Sequence, residues 1–227
     1  MEIVLDNIDL VVRAFTYTIL LFLISGVLSM FFGTLLAAMR VGPIGVLSKA
    51  TAVYVTMVRN TPLLIVLIFF RIAGPKVGLN FGFVEIVIGE IRITDLFTAC
   101  VAALTVYTSC FVCEALRSGV NAVPLGQAEA ARAIGLPFGG TMRHVVLPQA
   151  FRASVPPLAS VQIALLKNTT VCGVFGVSEA FFRMKIFTNS DPGQRVGIFL
   201  SFALIFVVLV EIVSFFANRL ERRWRVA

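Results

Sequence analysis

The chain has 227 residues, 59% of them hydrophobic and 14% charged, with a mean hydropathy of +0.97 and a net charge of +7. Soluble domains carry about a quarter charged residues, so a water-soluble fold is excluded, as is a disordered chain, which requires low hydrophobicity. The single histidine, His144, rules out a multi-histidine metal site, and Cys100, Cys110, Cys113 and Cys172 all lie in apolar runs, where thiols behave as small hydrophobes.

The N-terminus, MEIVLDNIDL, is acidic and lacks the basic start of a secretory signal, so the first apolar run is expected to stay as a membrane anchor. A spanning helix needs ~20 mainly apolar residues. Between Arg13 and Arg40, 26 consecutive residues carry no charge, which places span 1 at 15–39. Within it Ser25, Ser29, Gly33 and Ala37 make a small-residue stripe at four-residue spacing. Such a stripe lets helix backbones approach closely in lipid. Span 2 falls at 52–72, with Arg59 and Arg71 inside it or at its ends. The following segment, 73–95, contains FGFVEIVIGEI and is too short and too charged to cross; it reads as interfacial or re-entrant. Span 3 falls at 96–116, span 4 at 153–174 with Lys167 inside it, and span 5 at 196–217 with Glu211 inside it. The predicted fold is one domain, 1–227, an all-α integral membrane protein of five transmembrane helices. The 21 phenylalanines and the single Trp224 near the C-terminus suit an interfacial ring.

Five spans put the termini on opposite sides. The 40–51 loop, the 117–152 loop and the C-terminal tail together carry ten basic residues, among them Arg40, Arg117, Arg132, Arg143 and Arg219. The opposite side carries six, with most of the acids: Glu2, Asp6, Asp9, Glu85, Glu90, Asp95, Glu179 and Asp191. The positive-inside rule then places the N-terminus outside and the C-terminus in the cytoplasm of a cell-membrane protein. Topology and membrane lipid account for the basic excess, and nucleic acid drops out as a partner.

The loop at 118–150 is the most informative segment. Pro124 fits the first turn of a helix, Gly135 its C-terminal cap, and Pro137 the start of the next element. A helix is therefore expected over 124–134, and a second short one from Pro137 to Leu147, stopped by Pro148. Two such helices at an angle make a protruding knob. Ala128, Ala130, Ala131 and Ala133 keep it slim, and Leu136 is expected at its exposed tip. Composition alone fits equally an amphipathic loop lying on the membrane surface.

The spacing Glu129-Ala130-Ala131, then Gly135, then Val145, then Leu147-Pro148 resembles the coupling motif of ABC importer permeases, with Val145 where the family pattern has Ile. The family resemblance extends to Arg59-Asn60-Thr61-Pro62-Leu63-Leu64, similar to the Arg-Gly-Thr-Pro-Leu-Leu pattern of polar-amino-acid permeases. Tyr107, Glu114, Arg117 and Gly126-Gln127 resemble that subfamily's third helix and its approach to the coupling loop. Lys167-Asn168-Thr169-Thr170-Val171 is similar to its Lys-Asp-Thr-Ser-Leu signature. Within the subfamily the chain looks most like a permease subunit of a glutamate uptake system.

The resemblance implies that the loop between spans 3 and 4 carries a cytoplasmic coupling helix. Gln127, Glu129, Ala130, Ala131, Gly135, Leu136, Val145, Leu147 and Pro148 would then meet an ABC ATPase. It also implies a second permease subunit, in a hetero- or homodimer, and two ATPase subunits. An external solute-binding protein and a polar amino-acid substrate, glutamate or another acidic amino acid, complete the set. No GxxxxGK[ST] phosphate loop occurs, so this chain is expected to bind no cofactor, with ATP and Mg on the partner ATPase. The chain is expected to be a translocation subunit, not an enzyme, with no catalytic residues and no metal.

Ionisable groups inside a span are costly and face a bundle interior or a wet cavity. Lys167, beside the hydroxyls of Thr169 and Thr170, suits an α-carboxylate, or a structural carboxylate on another helix. Arg71 suits a second carboxylate, or snorkels to the outer headgroups. Glu114 pairs with Arg117 one turn on, or meets a substrate ammonium. Glu211 is expected to meet a neighbouring helix or subunit, and Arg59 to serve gating or packing at the inner interface. Lys167, Thr169, Thr170, Glu114, Arg71 and Thr61 are the candidate substrate-pathway residues. An intramembrane serine protease fails, since His144 lies in a loop and no GxSxG elbow occurs. A stand-alone channel or secondary carrier remains the alternative.

Overall fold

The computed structural model describes residues 2–81, 86–88 and 91–224. Residues 82–85 and 89–90 of FGFVEIVIGEI, which include Glu85 and Glu90, lie outside the described residues, as do the side chain of Trp224 and Arg225. After a short turn of helix at Glu2–Asp6, α1 runs over Ile8–Val41. It starts well before the expected 15–39, because Arg13 marks where hydrocarbon ends, and a helix can continue into the interface. Next come α2 (Gly45–Asn60) and α3 (Leu63–Lys76), bent by 101° relative to each other. Strands β1 (Ile86–Ile88) and β2 (Ile91–Ile93) pair antiparallel. The long helix α4 is Asp95–Asn121, α5 is Leu125–Ala133, and α6 runs over Phe138–Phe175. The chain ends with α7 (Ala180–Ser190) and α8 (Arg195–Trp224). Among the described residues, helices α1, α4, α6 and α8 are long and apolar enough to cross a membrane, and the pair α2–α3 is so only when its two arms are taken together across their 101° bend.

The segment read as span 2, at 52–72, is thus not one continuous helix. Pro62 lacks an N–H, and the residue before a proline is driven out of the helical region. Thr61 (φ −88°, ψ 129°) and Pro62 (φ −57°, ψ 136°) are accordingly extended, and the chain turns a corner there. Thr61 Oγ1 donates back to the Met57 carbonyl at 2.9 Å, satisfying one of the last carbonyls of α2.

The expected stop at Pro148 does not occur. Met142–Val146 forms a π-helical turn that runs directly into the α-helical Leu147–Asn168. A widened turn just before the proline accommodates its ring and missing donor, so the helix passes through. Span 4 therefore begins before 153. Its last part, Thr169–Phe175, tightens into a 3₁₀ turn, ended by Gly176 at φ 98°. Lys167 lies in the last α-helical turn, just before the 3₁₀ segment.

The centre of the bundle is α1 packed on α4 and α4 packed on α6. Small residues make both crossings close. Ser25, Ser29, Gly33 and Ala37 are all buried, as the stripe predicts. A Cβ on Gly33 would come within 2.5 Å of Val112 Cβ and 2.8 Å of the Ser109 carbonyl. At the other crossing, a Cβ on Gly119 would overlap Ser154 Oγ and the Ala150 carbonyl. Tyr17 fixes the β-hairpin to α1: its hydroxyl donates to the Arg92 carbonyl at 3.1 Å and accepts from the Arg92 N–H at 2.8 Å.

Glu179, counted above among the acids of the outer side, is fully buried. Its carboxylate caps α7, accepting from the Phe181 and Phe182 N–H groups at 3.0 and 2.8 Å. Burial pushes its carboxyl up to about 8, against the opposing effect of those two bonds. Cys100, Cys110, Cys113 and Cys172 are buried free thiols.

Candidate functional site

The loop between spans 3 and 4 folds much as its sequence predicts over its first half. Helix α5 starts after Pro124 and ends in a left-handed Gly135 at φ 92°. Gly135 N–H donates to the Arg132 carbonyl at 2.9 Å and Leu136 N–H to the Ala131 carbonyl at 3.1 Å. These are the two bonds of a Schellman cap. Only glycine takes that backbone without strain. Ala131 is buried, while Gln127, Glu129 and Ala130 are exposed. Gln149 Nε2 donates to Gln127 Oε1 and, at 2.8 Å, to the Val145 carbonyl, tying α5 to the base of α6.

Leu136 is not the exposed tip. It is half-buried, lying where a Cβ on Gly140 would approach its Cδ2 to 3.4 Å, and its carbonyl accepts from Thr141 Oγ1 at 3.5 Å. The exposed apolar residues flank α5 instead: Leu125 at 80% and Ile134 at 82% exposure. Sequence reasoning passes over both, although an isoleucine directly before a capping glycine is the available signal. Leu147 and Pro148 are exposed and Val145 is half-buried, all three on the continuous helix α6.

At the same end of the bundle, Glu114 holds three helices together. Its Oε1 pairs with Arg40 of α1 and, at 3.5 Å, with Arg59 of α2; its Oε2 pairs with Arg117 at 3.5 Å. The expected Glu114–Arg117 pair is present, and two long-range partners join it. Three guanidinium groups against one carboxylate leave an excess of positive charge. Arg59 also lies over the Phe111 ring, 5.4 Å from its centroid, within cation–π range.

One turn from Glu114, a cavity of about 190 Å³ opens between α4 and α6. Tyr107, Thr108 and Phe111 line it from α4, and Val161, Ala164, Leu165 and Asn168 from α6. The Thr108 hydroxyl is buried and makes no hydrogen bond among the described residues. The Tyr107 and Phe111 rings pack at 5.0 Å.

The six candidate pathway residues do not meet in this cavity. Lys167 is exposed on α6. Thr169 is buried, its hydroxyl donating to the Leu166 carbonyl at 2.7 Å. Thr170 donates to the Lys167 carbonyl at 2.8 Å and lines a different cavity, against α7 and α8. Arg71 pairs with Asp95 at 3.5 Å, with both side chains about half exposed. Thr61 sits at the α2–α3 corner. Asn168, one residue from Lys167, is the signature residue that reaches the cavity. Glu211 is exposed on α8.

Five spans, a partly buried ion cluster at the basic end and a capped helix held outside the spans define a membrane permease subunit. Residues 29–226 match the family described as binding-protein-dependent transport system inner membrane component, and the chain belongs to that family. It is 39% identical over 214 residues to the glutamate transport system permease protein GluC of Corynebacterium glutamicum, covering 94% of this chain and 93% of that one. It is 34% identical to the "Probable glutamine ABC transporter permease protein GlnP" of Bacillus subtilis, covering 92% and 91%. Among solved structures, an amino acid ABC transporter crystallised with histidines superposes with a TM-score of 0.83 at 26% identity, covering 96% of both chains.

Proposed function

We propose that this chain is a translocation subunit of an ATP-driven importer of polar amino acids, with glutamate as its substrate. ATP hydrolysis belongs to a partner ATPase, ligand capture to an external solute-binding protein, and a second permease subunit completes the pathway. The N-terminus faces outside and the 118–150 loop faces the cytoplasm. The observation that carries the reading is the Schellman-capped α5, a rigid, exposed helix held on the base of α6. A push on such a helix moves span 4 rather than bending a loop. Coupling requires that the ATPase bind α5 with different affinity in its two states, since equal affinity shifts nothing. Alternating access to a site between the spans then follows. Gln127, Glu129, Ala130, Ala131, Gly135, Leu136, Val145, Leu147 and Pro148 are assigned to this contact and its support. Lys167, Thr169, Thr170, Arg71 and Thr61 are assigned to the pathway's walls and hinge. Glu114 serves the inner ion cluster rather than a substrate ammonium, because three arginines already take its oxygens.

The test is uptake of labelled glutamate, glutamine and aspartate by vesicles carrying the assembled transporter, with ATP and without it. The expected result is ATP-dependent glutamate uptake, lost in Glu129→Lys and in Gly135→Asp while both variants stay in the membrane. Full uptake by either variant at matched expression would count against the docking role of α5.

A further inference from the structure

The cavity between α4 and α6 ends on Phe111, and Phe111 is the residue that Arg59 covers. Arg59 also reaches Glu114 at 3.5 Å, and it stands two residues before the 101° corner between α2 and α3. One side chain therefore touches a wall of the cavity, the ion cluster beyond it and the break in span 2. Resting on the reading of this chain as a glutamate importer subunit, we propose that Arg59 closes the inner end of this cavity and opens it in response to the substrate's side-chain carboxylate.

Glu114 can spare Arg59, because Arg40 and Arg117 also hold it. Arg59 and Arg117 are 40% and 41% exposed, against 12% for Arg40, so both have freedom to move, and of the two it is Arg59 that lies over the Phe111 ring. A carboxylate entering the cavity competes with Glu114 for it. A guanidinium binds a carboxylate through two parallel, charge-assisted N–H bonds, which the neutral amide of glutamine cannot match. When Arg59 turns to the substrate it leaves the Phe111 ring, and the ring is released to swing. Asn168 lines the same cavity and offers an amide for the amino-acid end. Glutamate is a net anion, which suits the excess positive charge of the cluster; glutamine is not.

The experiment uses the assembled transporter in vesicles, with wild type, Arg59→Gln, Arg59→Lys and Phe111→Leu. Two readouts are taken: ATP hydrolysis without amino acid, and the glutamate-to-glutamine ratio of uptake kcat/KM. Arg59→Gln is expected to raise hydrolysis without substrate and to lower the ratio, each by about five- to tenfold, the scale of one lost cation–π and ion contact. Phe111→Leu should raise hydrolysis and leave the ratio within about twofold, since it removes the closure and keeps the charge. Arg59→Lys keeps the charge but loses the two-bond fork, so it should lower the ratio by about two- to threefold; it serves where Arg59→Gln fails to assemble, and an unchanged ratio in it would then overturn the proposal. Unchanged hydrolysis and unchanged ratio in assembled Arg59→Gln would overturn the proposal. Wild type that carries another amino acid and no glutamate would overturn the substrate reading. The hydrolysis readout would then still decide the closure, because it does not depend on which amino acid is carried.

Discussion

Glu179 shows what a single buried carboxyl does to stability. An ordinary glutamate titrates near 4.5, and burial raises this one to about 8. Between those values the folded chain holds a proton that the unfolded chain has released. Stability contributed by this group is therefore full below about pH 4.5 and falls as pH rises toward 8. The thermal unfolding midpoint in detergent should drop over that range. Glu179→Gln should flatten the drop, since its side-chain oxygen can still accept from the Phe181 and Phe182 N–H groups and never ionises. An equally steep pH profile in the variant would place the titration elsewhere. Nothing local in the sequence marks this residue: it reads as one more acid between two spans. Gly135, in contrast, is legible, because a cap glycine acts through bonds only a few residues away. The Glu114 cluster is legible only for Arg117, three residues on; Arg40 is 74 positions distant and reaches it through the α1–α4 crossing.

At the scale of elements, apolar run length finds four long apolar helices and the bent pair α2–α3, but not their shape. The corner at Thr61–Pro62 and the continuous helix through Pro148 both involve proline, with opposite outcomes. Proline's missing donor is a fixed property; whether a widened turn forms ahead of it depends on what the helix packs against. Small residues reveal one crossing and hide the other. The α1 stripe stands out by its regular spacing, whereas Gly119 meets Ala150 and Ser154 from a different helix. That crossing makes a sharp prediction. Gly119→Val should separate α4 from α6 at the basic end, because even a Cβ would collide with Ser154 Oγ and the Ala150 carbonyl. Overpacking of this kind costs about 1–3 kcal/mol. A lower thermal midpoint and reduced membrane yield should follow, while Gly126→Ala, at a position with open space, should change little. Equal midpoints for Gly119→Val and wild type would show that the crossing can spread without cost.

The whole molecule leaves apolar surface uncovered in two different settings. Along α8, residues such as Phe199, Leu204, Val208 and Phe215 are exposed, as expected where lipid or another helix is the neighbour. Leu125 and Ile134 are another matter, because they flank α5 outside the spans, where water is the alternative to a partner. Burying a side chain of that size contributes about 1.5–3 kcal/mol, and a few such residues carry most of an interface's energy. Ile134→Asp should therefore reduce the ATPase recovered with the purified permease by about tenfold or more, with the permease still in the membrane and its thermal midpoint unchanged. Leu136→Ala makes the contrast. Leu136 packs within the cap region, so its loss should lower the midpoint first and weaken ATPase recovery only as a consequence. If Ile134→Asp retained both the ATPase and full uptake, the docking surface would have to lie on the exposed face of Leu147 and Pro148 at the base of α6, and α5 would be a spacer rather than the point of contact.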